Sequence, residues 1–261
     1  ATPDNGVATA IYAACKATVK VGDGKEITLH EETNYPFEEA IAFTVSTDEK
    51  VAFPFYLRIP SWTQKAEVRV NGKKVSVTPV AGKYLCINRE WANGDRVELT
   101  LPMSLSMRTW QVNKNSVSVD YGPLTLSLKI AEKYVEKDSR ETAIGDSKWQ
   151  KGADPQKWPT TEIYPDSPWN YSLVLDKKEP LKNFKVIRKS WPADNYPFTV
   201  ASVPLEVKAI GRPVPEWKID ETGLCGVLPE EDAVKGDKEE ITLIPMGAAR
   251  LRISAFPNTK E

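Results

Sequence analysis

The sequence is poor in the residues from which catalytic and metal sites are usually built. Its 261 residues include one histidine, His30, and three cysteines, Cys15, Cys86 and Cys225. The cysteines are far apart in sequence, so they predict neither a disulfide framework nor a C-x-x-C metal motif. A zinc site needs about four clustered ligands, which argues against a zinc site in this chain. We expect His30 to be a solvated residue on the polar face of a strand, and a Cys15–His30 nucleophile pair would need two adjacent strands in register.

An excess of charge of one sign is also absent. The 35 Lys and Arg residues balance 36 Asp and Glu residues, and the net charge is -1. Nucleic acids and anionic membranes attract a concentrated positive field, so we expect neither as a partner. No apolar run approaches the roughly 20 residues of a membrane-spanning helix. The first twenty residues lack a charged start followed by an apolar stretch, so the sequence as given predicts no signal peptide.

Long helices are a further absence. Twenty prolines leave little room for helices of ordinary length. Apolar and polar residues alternate instead, which is typical of half-buried strands, and Asn71-Gly72 predicts a type I′ hairpin turn. The sequence therefore predicts an all-β fold with two antiparallel β-sandwiches in tandem, of jelly-roll or immunoglobulin-like type. Strands are predicted around Ile27–Leu29, Ile41–Val45, Phe53–Ile59, Val68–Val70, Arg96–Leu101, Val117–Tyr121, Leu124–Ile130, Tyr171–Leu175, Phe184–Ile187, Leu205–Ala209, Glu240–Ile244 and Arg250–Ala255.

Changes in pattern along the chain predict its domains. We expect a first β-sandwich over residues 1–108 and a second over residues 109–261. The stretch 131–168 is rich in Lys, Asp and Pro, and we interpret it as a long loop or an insertion in the second sandwich. The alternation changes phase at Gly122-Pro123, which predicts a bulge or a sharp bend there.

Two residue classes remain as candidates for a site. Glycosidases use two carboxylates a fixed distance apart, but 36 acidic residues allow many pairs, and Glu31-Glu32 is most simply a solvated turn. Flat aromatic rings stack on sugars, although buried tryptophans anchor a core at least as often. The candidate carbohydrate-binding residues are Trp110, Trp149, Trp158 and Trp191.

A set of short motifs occurs in a fixed order along the chain. The motifs are Leu57–Trp62 (LRIPSW), Val70–Lys73 (VNGK), Arg89–Asp95 (R-x-W-x-x-G-D), Tyr121–Leu124 (YGPL), Ser167–Tyr171 (SPWNY), Val214–Trp217 (VPEW) and Leu243–Pro257 (LIPMGAARLRISAFP). Together they resemble the C-terminal part of the β-L-arabinofuranosidase-like glycoside hydrolases, family 127 and its relatives. The resemblance runs from about Val7 to Pro257 and is weakest over Ala131–Pro165.

The resemblance implies that the family's chemistry lies elsewhere. In that family an N-terminal (α/α)6 barrel precedes the β-sandwiches and holds a zinc ion with three cysteines and a glutamate. A cysteine is the proposed nucleophile, a separate glutamate is the acid/base, and an adjacent Cys-Cys pair belongs to the barrel. Here Cys15 lies between Ala14 and Lys16, and no catalytic or metal residue carries over. We therefore expect no cofactor in this chain, because the zinc site would lie in the missing barrel.

Three hypotheses follow for the function. The leading one is a non-catalytic C-terminal portion that supports the barrel of the same parent protein and is inactive alone. Through the parent it would serve plant-type glycans, in a periplasmic or secreted enzyme, and it could also form a homo-oligomer. The alternative is a carbohydrate-binding module that acts through exposed Trp or Tyr, and the third is a self-contained hydrolase. For the leading hypothesis we expect Trp169 and Trp217 to be packing residues.

Overall fold

Among the residues that the structure describes, regular secondary structure consists almost entirely of β-strands, which confirms the predicted all-β class. The computed structural model describes residues 1–142, 152–230 and 236–260. The chain divides into two compact units. The first unit comprises Ala1–Ser106 with Tyr121–Leu124, and the second comprises Met107–Asp120 with Thr125–Glu261. Across the described ranges, the helices are all too short to cross a membrane.

The first unit is a sandwich of two sheets. A six-stranded sheet has the order β2-β3-β4-β9-β6-β7, and a three-stranded sheet has the order β1-β5-β8. The pairings are antiparallel except for β1 with β5, which is parallel. The strands are β1 (Val7–Thr9), β2 (Cys15–Val21), β3 (Lys25–Thr33), β4 (Ala40–Ser46), β5 (Val51–Arg58), β6 (Glu67–Val70), β7 (Lys73–Lys74), β8 (Tyr84–Trp91) and β9 (Arg96–Thr100).

Aromatic rings from both sheets fill the core of this sandwich. Phe43 on β4 meets Phe55 on β5 edge to face, with ring centroids 5.4 Å apart. Trp91 is fully buried, and its indole Nε1 donates to the Phe53 carbonyl oxygen at 3.0 Å. Along β5 every second residue is buried, as the alternation predicts.

Two predicted turns are confirmed. Asn71 and Gly72 have φ values of 50° and 75° between β6 and β7, which is the positive-φ pair that a type I′ turn requires. Gly122 has φ 54° in the bend at the predicted change of phase. A β-carbon built on Gly122 would lie 2.6 Å from Cγ of Met103, so glycine is also required by space.

The second unit is built on an eight-stranded sheet. Its order is β10-β11-β12-β18-β17-β15-β19, and β16 pairs with the other end of β17. The parallel pair β15–β19 departs from the antiparallel expectation. The strands are β10 (Leu105–Trp110), β11 (Ser116–Tyr121), β12 (Leu124–Leu128), β15 (Tyr171–Leu175), β16 (Lys185–Arg188), β17 (Leu205–Pro213), β18 (Glu239–Pro245) and β19 (Asn258–Lys260).

Within the stretch 131–168, β13 (Glu132–Lys137) and β14 (Thr160–Pro165) form an antiparallel pair, and α1 (Ser139–Thr142) is a single turn after β13. The described part of this stretch therefore has its own two-stranded sheet. The predicted strand Arg250–Ala255 is wrong. The Ile253 nitrogen donates to Oγ of Ser127 at 3.0 Å in place of a backbone carbonyl, while the Ile253 carbonyl accepts from the Leu128 nitrogen at 2.8 Å and from the Ser127 hydroxyl at 3.1 Å.

Candidate functional site

The candidate nucleophile pair is separated by strand register. Strands β2 and β3 are adjacent, but Cys15 lies opposite Glu31 and Lys16 lies opposite His30. Successive side chains of a strand point to opposite faces, so Cys15 and His30 face away from each other. His30 is half-buried on the outer face of the six-stranded sheet, where Thr44 is its partner on β4.

The cysteines do not come together as metal ligands. Cys15 and Cys225 are exposed, and Cys86 lies across from Tyr56 in the β5–β8 pair. Within the residues that the structure describes, no group of three or more His, Cys, Asp or Glu side chains could hold a metal ion. The described residues therefore do not fit the site of three cysteines and one glutamate that the family resemblance implies for zinc.

Glu31 is a buried carboxyl group that the sequence analysis misinterpreted. It lies within β3 with an exposure of 5%, not in a solvated turn. Oε1 accepts a hydrogen bond from the Ala13 nitrogen at 3.0 Å, and Oε2 lies 4.0 Å from Sγ of Cys15. Burial raises the pKa of Glu31 to about 7. The signal was present in the alternation, since Ile27, Leu29 and Glu31 share one face of the strand.

The three candidate tryptophans that the structure describes have different surroundings. Trp158 is 71% exposed, and its carbonyl oxygen accepts a hydrogen bond from the Ser139 hydroxyl. Trp191 is half-buried, and its Nε1 donates to Oδ1 of Asn195 at 2.7 Å. Trp149 lies outside the described residues. Trp110 remains as the candidate with the most developed polar surroundings.

Trp110 ends the edge strand β10 with its indole ring held in place. Nε1 donates to Oγ of Ser118 at 2.8 Å, and the ring is 41% exposed. The Arg108 guanidinium lies over the ring, 5.1 Å from the centroid. Arg108 in turn makes two hydrogen bonds to Asp120, from Nε at 2.7 Å and from Nη2 at 2.9 Å. This fork fixes the guanidinium, and the ring borders a shallow depression that also contains Thr125.

The second unit also has an apolar groove of about 290 Å³. Leu224 and Ile219 are 66% and 43% exposed on one side of it. Trp169 contributes to the lining and packs edge to face against Trp217, with ring centroids 5.2 Å apart. Trp217 is 4% exposed and donates from Nε1 to the Gly226 carbonyl at 3.0 Å. Trp169 is therefore held by packing and does not offer a free stacking face on that side.

One end of the first unit contains a polar atom without a partner. Nε of Arg58 is buried and has no hydrogen-bond acceptor within the described parts of the chain. Arg58 ends β5 within the LRIPSW motif, and its carbonyl oxygen accepts from the Tyr12 hydroxyl at 2.5 Å. Sequence alternation places Arg58 on the outer face of β5, but it does not reveal that the nitrogen is unsatisfied.

A protein-family model matches the first unit. Residues 6–103 match the model described as the β-L-arabinofuranosidase GH127 middle domain. These residues span both sheets of the first unit. Residues 6–103 are a GH127 middle domain. The motifs LRIPSW and VNGK and the Trp91–Asp95 segment therefore belong to this middle domain.

Three solved structures are similar to both units, and this similarity establishes the fold. A GH127 β-L-arabinofuranosidase from Geobacillus stearothermophilus T6 has 21% identity and a TM-score of 0.62 over 99% of this chain. A structure described as a glycoside hydrolase has 22% identity and a TM-score of 0.61 over 98%. A GH127 β-arabinofuranosidase has 22% identity and a TM-score of 0.61 over 99%.

The chain spans about a third of the length of these solved structures. It covers 34% of the first and 36% of each of the other two. The search of curated proteins gave no match. The first and second units together thus correspond in fold to part of these longer solved structures.

Proposed function

We propose that this chain is the non-catalytic β-sandwich portion of a β-L-arabinofuranosidase-like glycoside hydrolase, and that it supports the catalytic portion of the same protein. The observation that carries the proposal is the apolar groove of the second unit. Leu224 and Ile219 expose large aliphatic side chains beside it, and a surface of this kind marks a contact with another protein surface.

The occupant we propose is the catalytic portion of the parent. The solved structures with this fold are about three times as long as the chain, and they are described as glycoside hydrolases. The model that matches residues 6–103 describes a middle domain, a position that implies neighbouring parts. The family's zinc ion and its acid/base would then lie in that other portion, and this chain would contribute support, with no reacting group.

Two measurements test the proposal. The purified chain is assayed with an aryl β-L-arabinofuranoside and analysed for zinc, next to the longer protein that contains it. We expect turnover and stoichiometric zinc in the longer protein alone. Turnover by the isolated chain, or one zinc per isolated chain, would contradict the proposal.

A matched pair of substitutions tests the groove itself. Leu224→Ser places a hydroxyl in the groove, whereas Val227→Ser changes a residue that is 83% exposed and does not line it. In the longer protein we expect Leu224→Ser to lower the melting temperature by several degrees and Val227→Ser to leave it unchanged. Equal melting temperatures for the two variants would show that the groove is not a contact.

A second candidate function is carbohydrate binding at Trp110, favoured by the fixed and half-exposed ring. Sugars bind proteins through an aromatic face and adjacent hydrogen-bonding groups, and the half-exposed Arg108 guanidinium supplies such a group here, held in place by Asp120. Titration of the chain with arabino-oligosaccharides tests it, with Trp110→Ala as the binding variant and the exposed Trp158→Ala as the control. Saturable binding that Trp110→Ala alone abolishes would establish this function.

A further inference from the structure

The segment Ala10–Ala14, with the sequence AIYAA, presents an unusual run of exposed apolar residues. Ala10, Ala13 and Ala14 are exposed, and Ile11 is 80% exposed. Only Tyr12 points inward, with an exposure of 3%. Runs of exposed apolar residues are unfavourable in water and generally occur where another surface covers them. The sequence places this run just before the edge strand β2.

The segment is held in a defined position. The Tyr12 hydroxyl donates to the Arg58 carbonyl at 2.5 Å, and its ring packs edge to face on Tyr35 at 5.8 Å. The Ala13 nitrogen donates to Oε1 of Glu31 at 3.0 Å. A surface that is already ordered loses little conformational entropy when it is covered. The exposed side chains are therefore prepared for contact.

Arg58 adds a chemical requirement to this surface. Its Nε is buried without an acceptor among the residues described, although a buried donor without a partner costs roughly 1–3 kcal/mol. The guanidinium is permanently charged and fits a carboxylate through two parallel hydrogen bonds. Arg58 pairs with Tyr84 across β5 and β8, and Tyr84 is 50% exposed on the same face. Nε itself is covered, but Arg58 as a whole is half-buried, so part of the residue reaches the surface of the unit, where an acceptor from another portion of the protein can approach it.

We propose that Ala10–Ala14 and Arg58 form the surface on which the middle domain receives the catalytic portion of the same protein. The contact would be apolar at Ile11 and would place a carboxylate of that portion on Arg58. This proposal rests on the proposed function. The family model matches from residue 6 onward, so Ala10–Ala14 lies close to the start of the middle domain.

Hydrogen–deuterium exchange gives a direct test. The amides of Ala10–Ala14 are compared in the isolated chain and in the longer, active protein. We expect exchange at Ile11 and Ala14 to slow by at least about tenfold in the longer protein, because water is excluded from a covered backbone. Equal exchange in the two proteins would overturn the inference. Protection that grows with the concentration of the isolated chain would also overturn it, since a second copy would then be the occupant.

Substitution of Arg58 gives a second test with an internal control. Arg58→Met removes the charge and the unsatisfied nitrogen but keeps an apolar stem, and Arg69→Met changes an arginine on the other sheet. In the isolated chain we expect Arg69→Met to melt within about 2 °C of the parent sequence, and Arg58→Met to melt at the same temperature or several degrees higher, because the unsatisfied nitrogen is removed. In the longer protein we expect Arg58→Met alone to lower the melting temperature, by at least about 3 °C. No difference between the two variants in the longer protein would overturn the inference.

The two proposals fail in different ways. Turnover by the isolated chain contradicts the proposed function, whatever happens at Arg58. An inactive chain within an active longer protein, with equal exchange at Ala10–Ala14, leaves the proposed function in place and overturns only the assignment of this surface.

Discussion

The carboxyl group of Glu31 is buried beneath the backbone of Ala13, with Oε1 3.0 Å from the Ala13 nitrogen. The contact ties the start of β2 to the neighbouring strand β3 in the middle of an otherwise apolar core face. Burial penalises the charged form and raises the pKa of Glu31 from 4.5 to about 7. The ionisation of one residue is thereby linked to the stability of the first unit.

The first prediction concerns this linkage. The folded-state pKa lies above the unfolded value, so the stabilisation is complete below about pH 4.5 and is lost as the pH rises through about 7. We expect the melting temperature of the first unit to fall between pH 5 and pH 8, by an amount equivalent to at most about 3 kcal/mol. Glu31→Gln should remove that slope, whereas Glu26→Gln, an exposed residue of the same strand, should retain it. Melting curves at several pH values decide, and a slope that persists in Glu31→Gln contradicts the prediction.

The second prediction separates packing tryptophans from surface ones. Trp217 is 4% exposed and bonded to Gly226, whereas Trp158 is 71% exposed. Trp217→Ala should lower the free energy of unfolding of the second unit by about 3–5 kcal/mol, because a cavity replaces the ring. Trp158→Ala should change it by less than about 0.5 kcal/mol. Urea unfolding of both variants checks this, and similar midpoints would refute the packing role.

The third prediction concerns the ion pair that fixes the Trp110 ring. Asp120 is 9% exposed and accepts two hydrogen bonds from Arg108 and one from Thr125 at 2.7 Å. Asp120→Ala should destabilise the second unit by roughly 1–3 kcal/mol, since it leaves polar groups without partners. Asp138→Ala, which breaks an exposed pair with Arg140, is the control and should have little effect. Thermal melts distinguish the variants, and equal effects would show that the buried fork adds no stability.

The fourth prediction concerns two glycines with positive φ. Gly122→Ala introduces both a left-handed alanine and a β-carbon 2.6 Å from Cγ of Met103, whereas nothing lies within 4 Å of a β-carbon on Gly24. Gly24→Ala should cost about 1 kcal/mol from backbone strain alone, and Gly122→Ala should cost clearly more. The double variant Gly122→Ala with Met103→Ala should lose less free energy of unfolding than the sum of the losses of the two single variants, because the shorter side chain at position 103 relieves the close contact. Denaturant titrations measure this, and additivity would mean that the close contact is relieved at no cost.

The local alternation of apolar and polar residues was sufficient to predict most strands. Phe53, Phe55 and Leu57 are buried in alternation, and Asn71-Gly72 forms the predicted hairpin turn. Such features depend on neighbours in sequence, on the pleat and on the positive φ of a tight turn. The pattern failed at Ile253, because a side chain distant in sequence, Ser127, occupies its backbone groups.

Alternation did not predict which polar side chains of β11 are buried. Alternation assigns Ser118 and Asp120 to the outer face of β11, yet both are buried, since each bonds to a side chain of β10. The candidate sites depend on such distant contacts. Glu31 accepts a hydrogen bond from the Ala13 nitrogen, and the lack of a partner for Nε of Arg58 is known only from its surroundings in the structure.

The amino-acid sequence by itself determined the all-β class, the principal strands and the resemblance to family 127, because alternation, turn residues and ordered motifs are properties of consecutive residues. The tertiary structure decided that Cys15 and His30 face apart, that Glu31 is buried with a raised pKa, and that Ala10–Ala14 is an exposed apolar surface beside Arg58. Alternation puts Glu31 on the apolar face of β3, but its hydrogen bond to Ala13 and the register of β2 against β3 involve residues distant in sequence, which the spacing along one strand does not fix.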